Sequence, residues 1–187
     1  DWKCGKMGFH FTEIPMKCPV APLEFVFLAD SYFTKKGMRD KVDLTYVTPL
    51  GGAFTKPKAT AALSHLMKEK NIKVVTDFNI ESVDNEKNQI VDYGNTTVDF
   101  DLLVTVPTNM GDEVIERSGM GDDLNFVPTH HNTLQSIDYE NVFVIGDATN
   151  IPASKAGSVA HFAAETLTDN ILLYIDGKPL KEEFDGH

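Results

Sequence analysis

The sequence has few of the features that define several common protein classes. Only two cysteines, Cys4 and Cys18, occur in 187 residues, too few for a disulfide scaffold but compatible with a reducing compartment or a catalytic use. No apolar run approaches the roughly 18 residues that a membrane-spanning helix needs. With a formal net charge of −11, the chain has no basic stripe to neutralise phosphates, which argues against a nucleic-acid partner.

A Gly-rich dinucleotide fingerprint of the form GxGxxG is also absent from the sequence. The remaining composition, 42% hydrophobic and 24% charged residues, is ordinary for a folded globular chain. At this length the chain forms one full domain or two small ones, with enough material for a core.

The segment Asn141–Gly157, NVFVIGDATNIPASKAG, predicts a strand, a turn and the start of a helix. Val142–Ile145 is the predicted strand, and the helix is expected over Lys155–Ile175, capped by Ser154 or its neighbours. Gly146 lets the backbone approach a ligand closely. Asp147 follows at the carboxyl end of the strand, where open α/β sheets bind their ligands.

The same segment therefore suits part of a flavin. A carboxylate binds the hydroxyls of a ribityl chain, and the free N–H groups at a helix start hold a polarised oxygen of the pyrimidine edge. Many α/β proteins without a flavin also contain this strand, Gly-Asp turn and helix, so the segment alone leaves both interpretations open.

Cys18 lies in KCPVAP, directly before a helix predicted over Leu23–Lys36 with Pro22 in its first turn. The positive end of the helix dipole and the charge of Lys17 both favour the thiolate, so we expect the pKa of the Cys18 thiol to be lowered. This is the environment of a nucleophilic cysteine. The alternative is a buried structural cysteine, which is the commoner role of a single thiol.

Residues 17–47 have the order of a dinucleotide-binding β-turn-α-β unit, since a strand predicted over Val42–Thr48 follows the helix. Such a turn needs glycines for tightness and for approach to a pyrophosphate. Here Cys-Pro-Val-Ala-Pro takes their place, and the two prolines, Pro19 and Pro22, remove N–H donors. The sequence therefore argues against a nicotinamide dinucleotide at this turn.

The middle of the chain predicts a second helix and a β-meander. Residues 1–17 are expected to be irregular, because glycines and a proline interrupt their aromatic residues. Further on, alternating apolar and polar residues flank an Asp-Asn-Glu-Lys-Asn turn, which is a hairpin signal. The predicted elements are a helix over Pro57–Lys70, strands over Phe78–Val83, Gln89–Tyr93 and Thr97–Phe100, and a buried strand over Asp101–Val106.

Two motifs give the chain a family resemblance. NVFVIGDATN followed by PASKAGSVAHFAAE resembles the second flavin-contacting segment of flavoproteins with two dinucleotide-binding domains. KCPVAPLE is similar to the redox-cysteine loop of the sulfide:quinone oxidoreductases, and it is the more specific motif. The resemblance extends over nearly the whole chain.

The resemblance implies an α/β fold in which a Rossmann-like FAD/NAD(P)-binding-type domain with a three-stranded β-meander precedes the C-terminal part of an FAD-binding domain. Residues 1–17 are then a linker from an N-terminal FAD domain. Residues 18–106 form a pyridine-nucleotide-type domain without a dinucleotide site, and residues 107–187 return to the FAD domain. The chain is accordingly expected to be a fragment of a longer enzyme.

The resemblance also assigns the candidate site. Cys18 is the catalytic nucleophile or persulfide carrier, and no metal ligand is expected. Asp147 is expected to bind the hydroxyls of the ribityl chain or phosphate linker. Lys155 adds a positive charge near the pyrimidine edge or the quinone, unless it is simply a solvated lysine at a helix start. The expected cofactor-binding residues are Gly146, Asp147, Ala148, Thr149, Lys155 and Gly157.

The partner of Cys18 stays open at this point. Some members of the family carry a second redox cysteine directly after the Gly-Asp pair, where this sequence has Ala148. Cys4 matches no position of the family clearly. The chain therefore supplies one half of a redox pair, unless Cys4 takes part.

The implied activity is oxidation of sulfide through a redox cysteine and FAD, with quinone as the electron acceptor. The implied enzyme is associated peripherally with a membrane, on a side that the sequence does not indicate, through segments outside this chain, and it is compatible with a homo-oligomer. Two alternatives are the flavin subunit of a cytochrome-linked sulfide dehydrogenase and a type II NADH:quinone oxidoreductase, which needs a glycine turn. A third is a non-catalytic domain that retains the fold.

Overall fold

The computed structural model describes the chain from Trp2 to Gly186, and its contacts divide the chain into two units. The first unit contains the residues up to Ile14 together with Val20–Thr108. The second contains Pro15–Pro19 and the residues from Asn109 onwards. The short segment that carries Cys18 therefore belongs to the second unit, although the elements before and after it belong to the first.

The first unit is built on a parallel four-stranded sheet and an antiparallel three-stranded meander, with two helices. The sheet order is β3-β2-β1-β7, and the meander order is β4-β5-β6. The elements are β1 (Gly5–Phe11), α1 (Ala21–Lys35), β2 (Val42–Val47), α2 (Pro57–Glu69), β3 (Ile72–Val75), β4 (Ile80–Asp84), β5 (Gln89–Asp92), β6 (Thr97–Asp99) and β7 (Leu102–Val106).

The two faces of the parallel sheet are covered by different elements. Successive side chains of a strand point to opposite faces, so Phe9 and His10 of β1 lie on different sides. The ring of Phe9 packs 5.2 Å from that of Phe25 in α1. On the other side the ring of His10 meets Phe78 edge-on at 6.0 Å, and Phe78 belongs to a buried cluster with Ile90 and Val98 of the meander.

Strand β1 corrects the expectation that residues 1–17 are irregular. It is a central strand, paired in parallel with β2 on one side and β7 on the other. The glycines in β1 interrupt the alternation of apolar and polar residues by which a strand is recognised, and the structure requires Gly5. Gly5 has φ +113°, and a Cβ at that position would collide with the Asp101 carboxylate, which accepts the backbone N–H of Lys6 at 2.7 Å.

The other elements of the first unit agree with the sequence pattern, within a few residues at their ends. Both helices have a proline in the first turn, where a missing N–H costs no hydrogen bond. The three strands of the meander pair as a hairpin and a third antiparallel strand. Strand β7, expected to be buried, is partly exposed because it lies at the edge of the sheet.

Within the described residues, the second unit contains two α-helices, one short 3₁₀ helix and otherwise irregular backbone. Helix α3 spans Glu113–Ser118; Asp112 caps it by accepting the Val114 N–H at 2.8 Å, and Gly119 ends it at φ 69°. Helix α4 spans Gly157–Ile175.

Two expectations for the second unit are wrong. Val142–Ile145 is not a continuous strand, because its partner is a single bridge between Gln135 and Phe143, and a strand ladder needs a partner along its whole length. Helix α4 begins at Gly157 rather than Lys155, and Ala156 precedes it without a side-chain cap. Ser154 therefore does not cap the helix.

Candidate active site

The Gly-Asp turn is a short 3₁₀ helix, Gly146–Ala148, which follows the extended residue Ile145. Gly146 has φ +66°, and a Cβ built on it would lie 3.3 Å from the Cβ of Ala160 in α4. The glycine is needed for its left-handed backbone and for the close approach of α4. The turn is thereby packed against the first turns of this helix.

Asp147 projects from this turn with an exposed carboxylate, 54% of its side-chain surface being accessible. Its Oδ2 lies 3.8 Å from the Nζ of Lys17. An exposed pair at this distance contributes little to stability. The carboxylate is therefore accessible to the hydroxyl groups of a ligand.

The end of the turn is fixed by hydrogen bonds within the unit. The carbonyl of Ala148 accepts the N–H of Val127 at 2.8 Å. Thr149 is buried, and its Oγ1 accepts the N–H of Ile151 at 3.2 Å. Because the Thr149 side chain faces the interior, it contributes to the site by holding the turn in place.

Lys155 is buried, with 5% of its surface exposed. Its Nζ donates to the carbonyl of Thr149 at 2.6 Å and lies 4.7 Å from the centre of the Phe126 ring, a cation–π distance. Burial lowers the pKa of the Lys155 ammonium; the charge of Asp147 opposes this shift and that of Lys17 adds to it. The alternative interpretation, a solvated lysine at a helix start, is therefore wrong.

Cys18 is exposed, so it is not the buried structural cysteine that was the alternative interpretation. Its backbone has φ 52°, and its N–H donates to the carbonyl of Lys155 at 2.8 Å. Lys17 forms a parallel bridge with Lys155, and its N–H donates to Asn109 Oδ1 at 3.0 Å. Cys18 is therefore attached to the segment that leads into α4.

Gly157 begins α4 and is exposed. A Cβ built on it would meet nothing within 4 Å, so no other group packs against this side of the residue. The first N–H groups of a helix lack partners within the helix and can donate to a ligand. They add a donor group to the exposed carboxylate of Asp147.

The second unit thus brings together most of the residues singled out from the sequence. Asp147, Thr149 and Lys155 are linked to one another or to the Cys18 segment by the contacts described above. Sequence reasoning missed Phe126 and the pairing of Lys17 with Asp147. Phe126 lies in irregular backbone far from both motifs, and no periodicity in the sequence marks it.

Two kinds of feature are absent from the described residues. No group of three or more His, Cys, Asp or Glu side chains within Trp2–Gly186 is arranged to hold a metal ion. None of the helices in this part of the chain has both the length and the apolar character required to cross a membrane.

Comparison with known proteins identifies relatives by sequence. The mitochondrial sulfide:quinone oxidoreductase of Mus musculus is 30% identical over 192 residues, which cover 100% of this chain and 43% of the relative. That of Dictyostelium discoideum is 31% identical over 176 residues, covering 92% of this chain and 39% of the relative. The chain therefore spans about two fifths of the length of these relatives. No family model matches the chain.

Solved structures show the same fold. The sulfide:quinone oxidoreductase of Aquifex aeolicus has a TM-score of 0.75 at 20% identity, covering 93% of this chain and 45% of its own. LpdA from Mycobacterium tuberculosis has a TM-score of 0.64 at 17% identity, covering 97% of this chain and 37% of its own. These likenesses confirm the Rossmann-like α/β fold, and the sequence relatives place the chain in the sulfide:quinone oxidoreductase family.

Proposed function

We propose that this chain is the part of an FAD-dependent sulfide:quinone oxidoreductase that carries the redox cysteine and the second flavin-contacting segment. The observation that supports this most directly is the attachment of Cys18 to Lys155 by a 2.8 Å backbone hydrogen bond. An exposed thiol is thereby held beside the segment that joins the Gly-Asp turn to α4. In this proposal residues 107–187 are the returning portion of the FAD domain.

The residues of the second unit fit part of an FAD molecule. The exposed Asp147 carboxylate accepts hydrogen bonds from hydroxyls of the ribityl chain or phosphate linker. The backbone N–H groups at the start of α4, from Gly157 on, favour a polarised oxygen and the negative charge that reduction places at the pyrimidine edge. When bound, FAD supplies the acceptor for the two electrons that leave the sulfur.

Cys18 is proposed as the group that receives sulfur. Its thiolate attacks a sulfane sulfur of a polysulfide; an S–S bond forms at Sγ while an S–S bond of the polysulfide breaks, and a shorter polysulfide leaves. The ammonium of Lys17, on the adjacent residue, attracts an anionic sulfur substrate.

Quinone is the proposed final acceptor, reached in a longer enzyme that associates peripherally with a membrane. A type II NADH:quinone oxidoreductase is disfavoured by the connection between β1 and α1. Residues 12–20 form this connection and contain no glycine, so a pyrophosphate has no close backbone approach. A cytochrome-linked sulfide dehydrogenase differs from the proposed enzyme in its electron acceptor. Measuring whether the enzyme reduces a quinone or a cytochrome distinguishes the two.

The sulfur-accepting role of Cys18 is testable on this chain, because Cys4 is a second exposed thiol and serves as an internal reference. The chain is mixed anaerobically with inorganic polysulfide, quenched with an alkylating reagent and digested, and persulfide at each cysteine is measured by mass spectrometry. We expect persulfide to form at Cys18 roughly tenfold faster than at Cys4, because Cys18 precedes the positive end of helix α1 in the chain, which attracts the polysulfide anion, whereas Cys4 precedes strand β1.

The variant Lys17→Met tests the electrostatic part of this expectation, and Lys181→Met is its matched control, since Lys181 is exposed and distant in sequence from Cys18. The Cys18 rate should fall several-fold in the first variant and stay unchanged in the second. Equal rates at Cys4 and Cys18 in the unmodified chain would contradict the proposed role of Cys18.

A further inference from the structure

Lys155 makes one hydrogen bond through its side chain and another through its main chain, to different parts of the unit. Through its side chain it donates to the carbonyl of Thr149 at 2.6 Å, at the end of the Gly-Asp turn. Through its main-chain carbonyl it accepts the N–H of Cys18 at 2.8 Å. One residue therefore connects the cysteine segment to the turn that carries Asp147.

Burying the charged side chain of Lys155 costs free energy. A buried ammonium loses its hydration and must be compensated by hydrogen bonds and charge. Its surroundings supply the Thr149 carbonyl and the face of the Phe126 ring, 4.7 Å from Nζ. The position of Lys155 is thereby fixed, and so is the position of its carbonyl.

Cys18 has a backbone conformation that needs support. It is not a glycine, yet its φ is 52°, in a region that costs an L-residue roughly 1–2 kcal/mol. Pro19 follows it and restricts its conformation further. The hydrogen bond from its N–H to Lys155 opposes these costs, so the direction of the thiol depends on where the Lys155 carbonyl lies.

We propose that Lys155 is a positioning residue for Cys18: its buried ammonium fixes the main chain that holds the Cys18 backbone in its left-handed conformation. The ammonium acts on the thiol through the main chain and takes no part in the sulfur chemistry. This inference rests on the proposed role of Cys18 for its functional meaning, but its structural content is independent of that role.

The direct test is hydrogen exchange at the amide of Cys18, measured by NMR on the ¹⁵N-labelled chain. Lys155→Met keeps the length of the side chain and removes its charge and donors. We expect the Cys18 amide to exchange at least tenfold faster in this variant. The reference is the amide of Ser136, which donates to the carbonyl of Val142 at 2.8 Å in the same unit and should change less than about twofold.

Two further variants distinguish positioning from a general contribution to stability. Lys155→Arg retains the charge and the donors, and it should restore most of the protection of the Cys18 amide. Lys181→Met removes an exposed lysine of the same unit and should change neither amide. Unchanged exchange at Cys18 in a folded Lys155→Met chain, or equal acceleration at Cys18 and Ser136, would overturn the proposal.

If Lys155→Met does not fold, Phe126→Leu decides the question. It removes the ring beneath the ammonium and leaves the Thr149 hydrogen bond in place, so exchange at the Cys18 amide should rise two- to fivefold relative to Ser136. An unchanged ratio would again overturn the proposal.

The effect of Lys155 on the reactivity of Cys18 is tested in a separate experiment. Its readout is the ratio of the rates of persulfide formation at Cys18 and Cys4. Lys155→Met should lower this ratio several-fold, Lys155→Arg should restore it, and Lys181→Met should leave it unchanged. A ratio unaffected by Lys155→Met contradicts a positioning role for reactivity. A ratio near one in the unmodified chain instead contradicts the proposed function, and the amide measurement still decides whether Lys155 holds Cys18.

Discussion

His10 is a neutral histidine in the core of the first unit. It is 2% exposed; its Nδ1 lies 2.9 Å from the Thr105 hydroxyl, while its Nε2 is buried and meets no hydrogen-bond partner among the described residues. Burial lowers the pKa of the imidazole from 6.5 to about 4. Because the charged form is disfavoured in the folded state, protonation acts against folding.

Because of this histidine, we expect the free energy of unfolding of the first unit to fall in acid. Above pH 6.5 both states are neutral at His10 and its contribution is complete; as pH falls toward 4 the unfolded chain binds the proton first, and stability is lost. Between pH 7 and pH 4.5 the free energy of unfolding should fall by about 2 kcal/mol through this group. Urea titration followed by the fluorescence of Trp2, the single tryptophan, measures it in the first unit.

The control separates His10 from the carboxylates that also titrate in this range. His10→Leu should reduce the difference in stability between the two pH values by that amount, whereas His65→Leu, at an exposed position of α2, should not. An equal pH dependence in the unmodified chain and in His10→Leu is the result that contradicts the prediction.

At the scale of elements, Asp30 joins parts of the first unit that are far apart in sequence. It is buried in α1, and its carboxylate accepts hydrogen bonds from Arg39 Nε and Lys70 Nζ, both at 2.7 Å. Arg39 also donates to the carbonyls of Val42 and Lys70 at 2.7 Å. The carboxylate therefore links α1 through Arg39 to the start of β2, and through Lys70 to the end of α2.

Removing this carboxylate should destabilise the first unit strongly. Burial alone would raise the pKa of Asp30, but the hydrogen bonds from Lys70 and Arg39 outweigh it and lower the pKa. Asp30→Ala leaves both cations without their partner, and a loss of roughly 3 kcal/mol is expected. Urea titration with Trp2 fluorescence measures the loss.

Asp99→Ala is the matched control for Asp30. Its carboxylate also pairs with a lysine, Lys6, at 2.6 Å, but both side chains are about half exposed, so its removal should change stability little. Comparable losses in the two variants would show that burial does not set the strength of the Asp30 interactions.

Elements that are marked by residues within or next to them could be predicted from the sequence. Helix α1 has Pro22 in its first turn and helix α2 begins at Pro57, and the hairpin follows from an alternating pattern around a polar turn. Strand β1 was missed because its stability comes from β2 and β7, which are distant in sequence. The strand predicted over Val142–Ile145 was wrong because the sequence does not show whether a neighbouring strand is present. Four consecutive apolar residues resemble a strand, but a strand also requires a partner to pair with.

The segments that contain the candidate site residues could be recognised in the sequence, but the contacts between them could not. The Gly-Asp turn and the cysteine segment have local signatures, and the structure brings both into the second unit. The buried state of Lys155 was not predictable, because a lysine before a helix is usually solvated. Its burial depends on Phe126 and the Thr149 carbonyl, which only the folded chain places beside it.

At the scale of the whole molecule, the two units contain different elements. The first unit has a Rossmann-like sheet whose β1–α1 connection lacks the glycines of a dinucleotide turn. The second unit combines Pro15–Pro19 with the Gly-Asp turn and α4. In the proposed function, the connection that follows β1 presents a thiol where a dinucleotide turn has its glycines.

The central claim is that sulfide reduces the flavin only when Cys18 is present, and that a nicotinamide does not reduce it. The most direct measurement is anaerobic bleaching of the flavin absorbance in the longer FAD-containing enzyme that we propose, mixed separately with sulfide and with NADH. Cys18→Ser is measured beside it, with Cys4→Ser as the matched control. We predict bleaching by sulfide alone, lost in Cys18→Ser and retained in Cys4→Ser. Bleaching by NADH, or bleaching by sulfide that survives Cys18→Ser, would contradict the account.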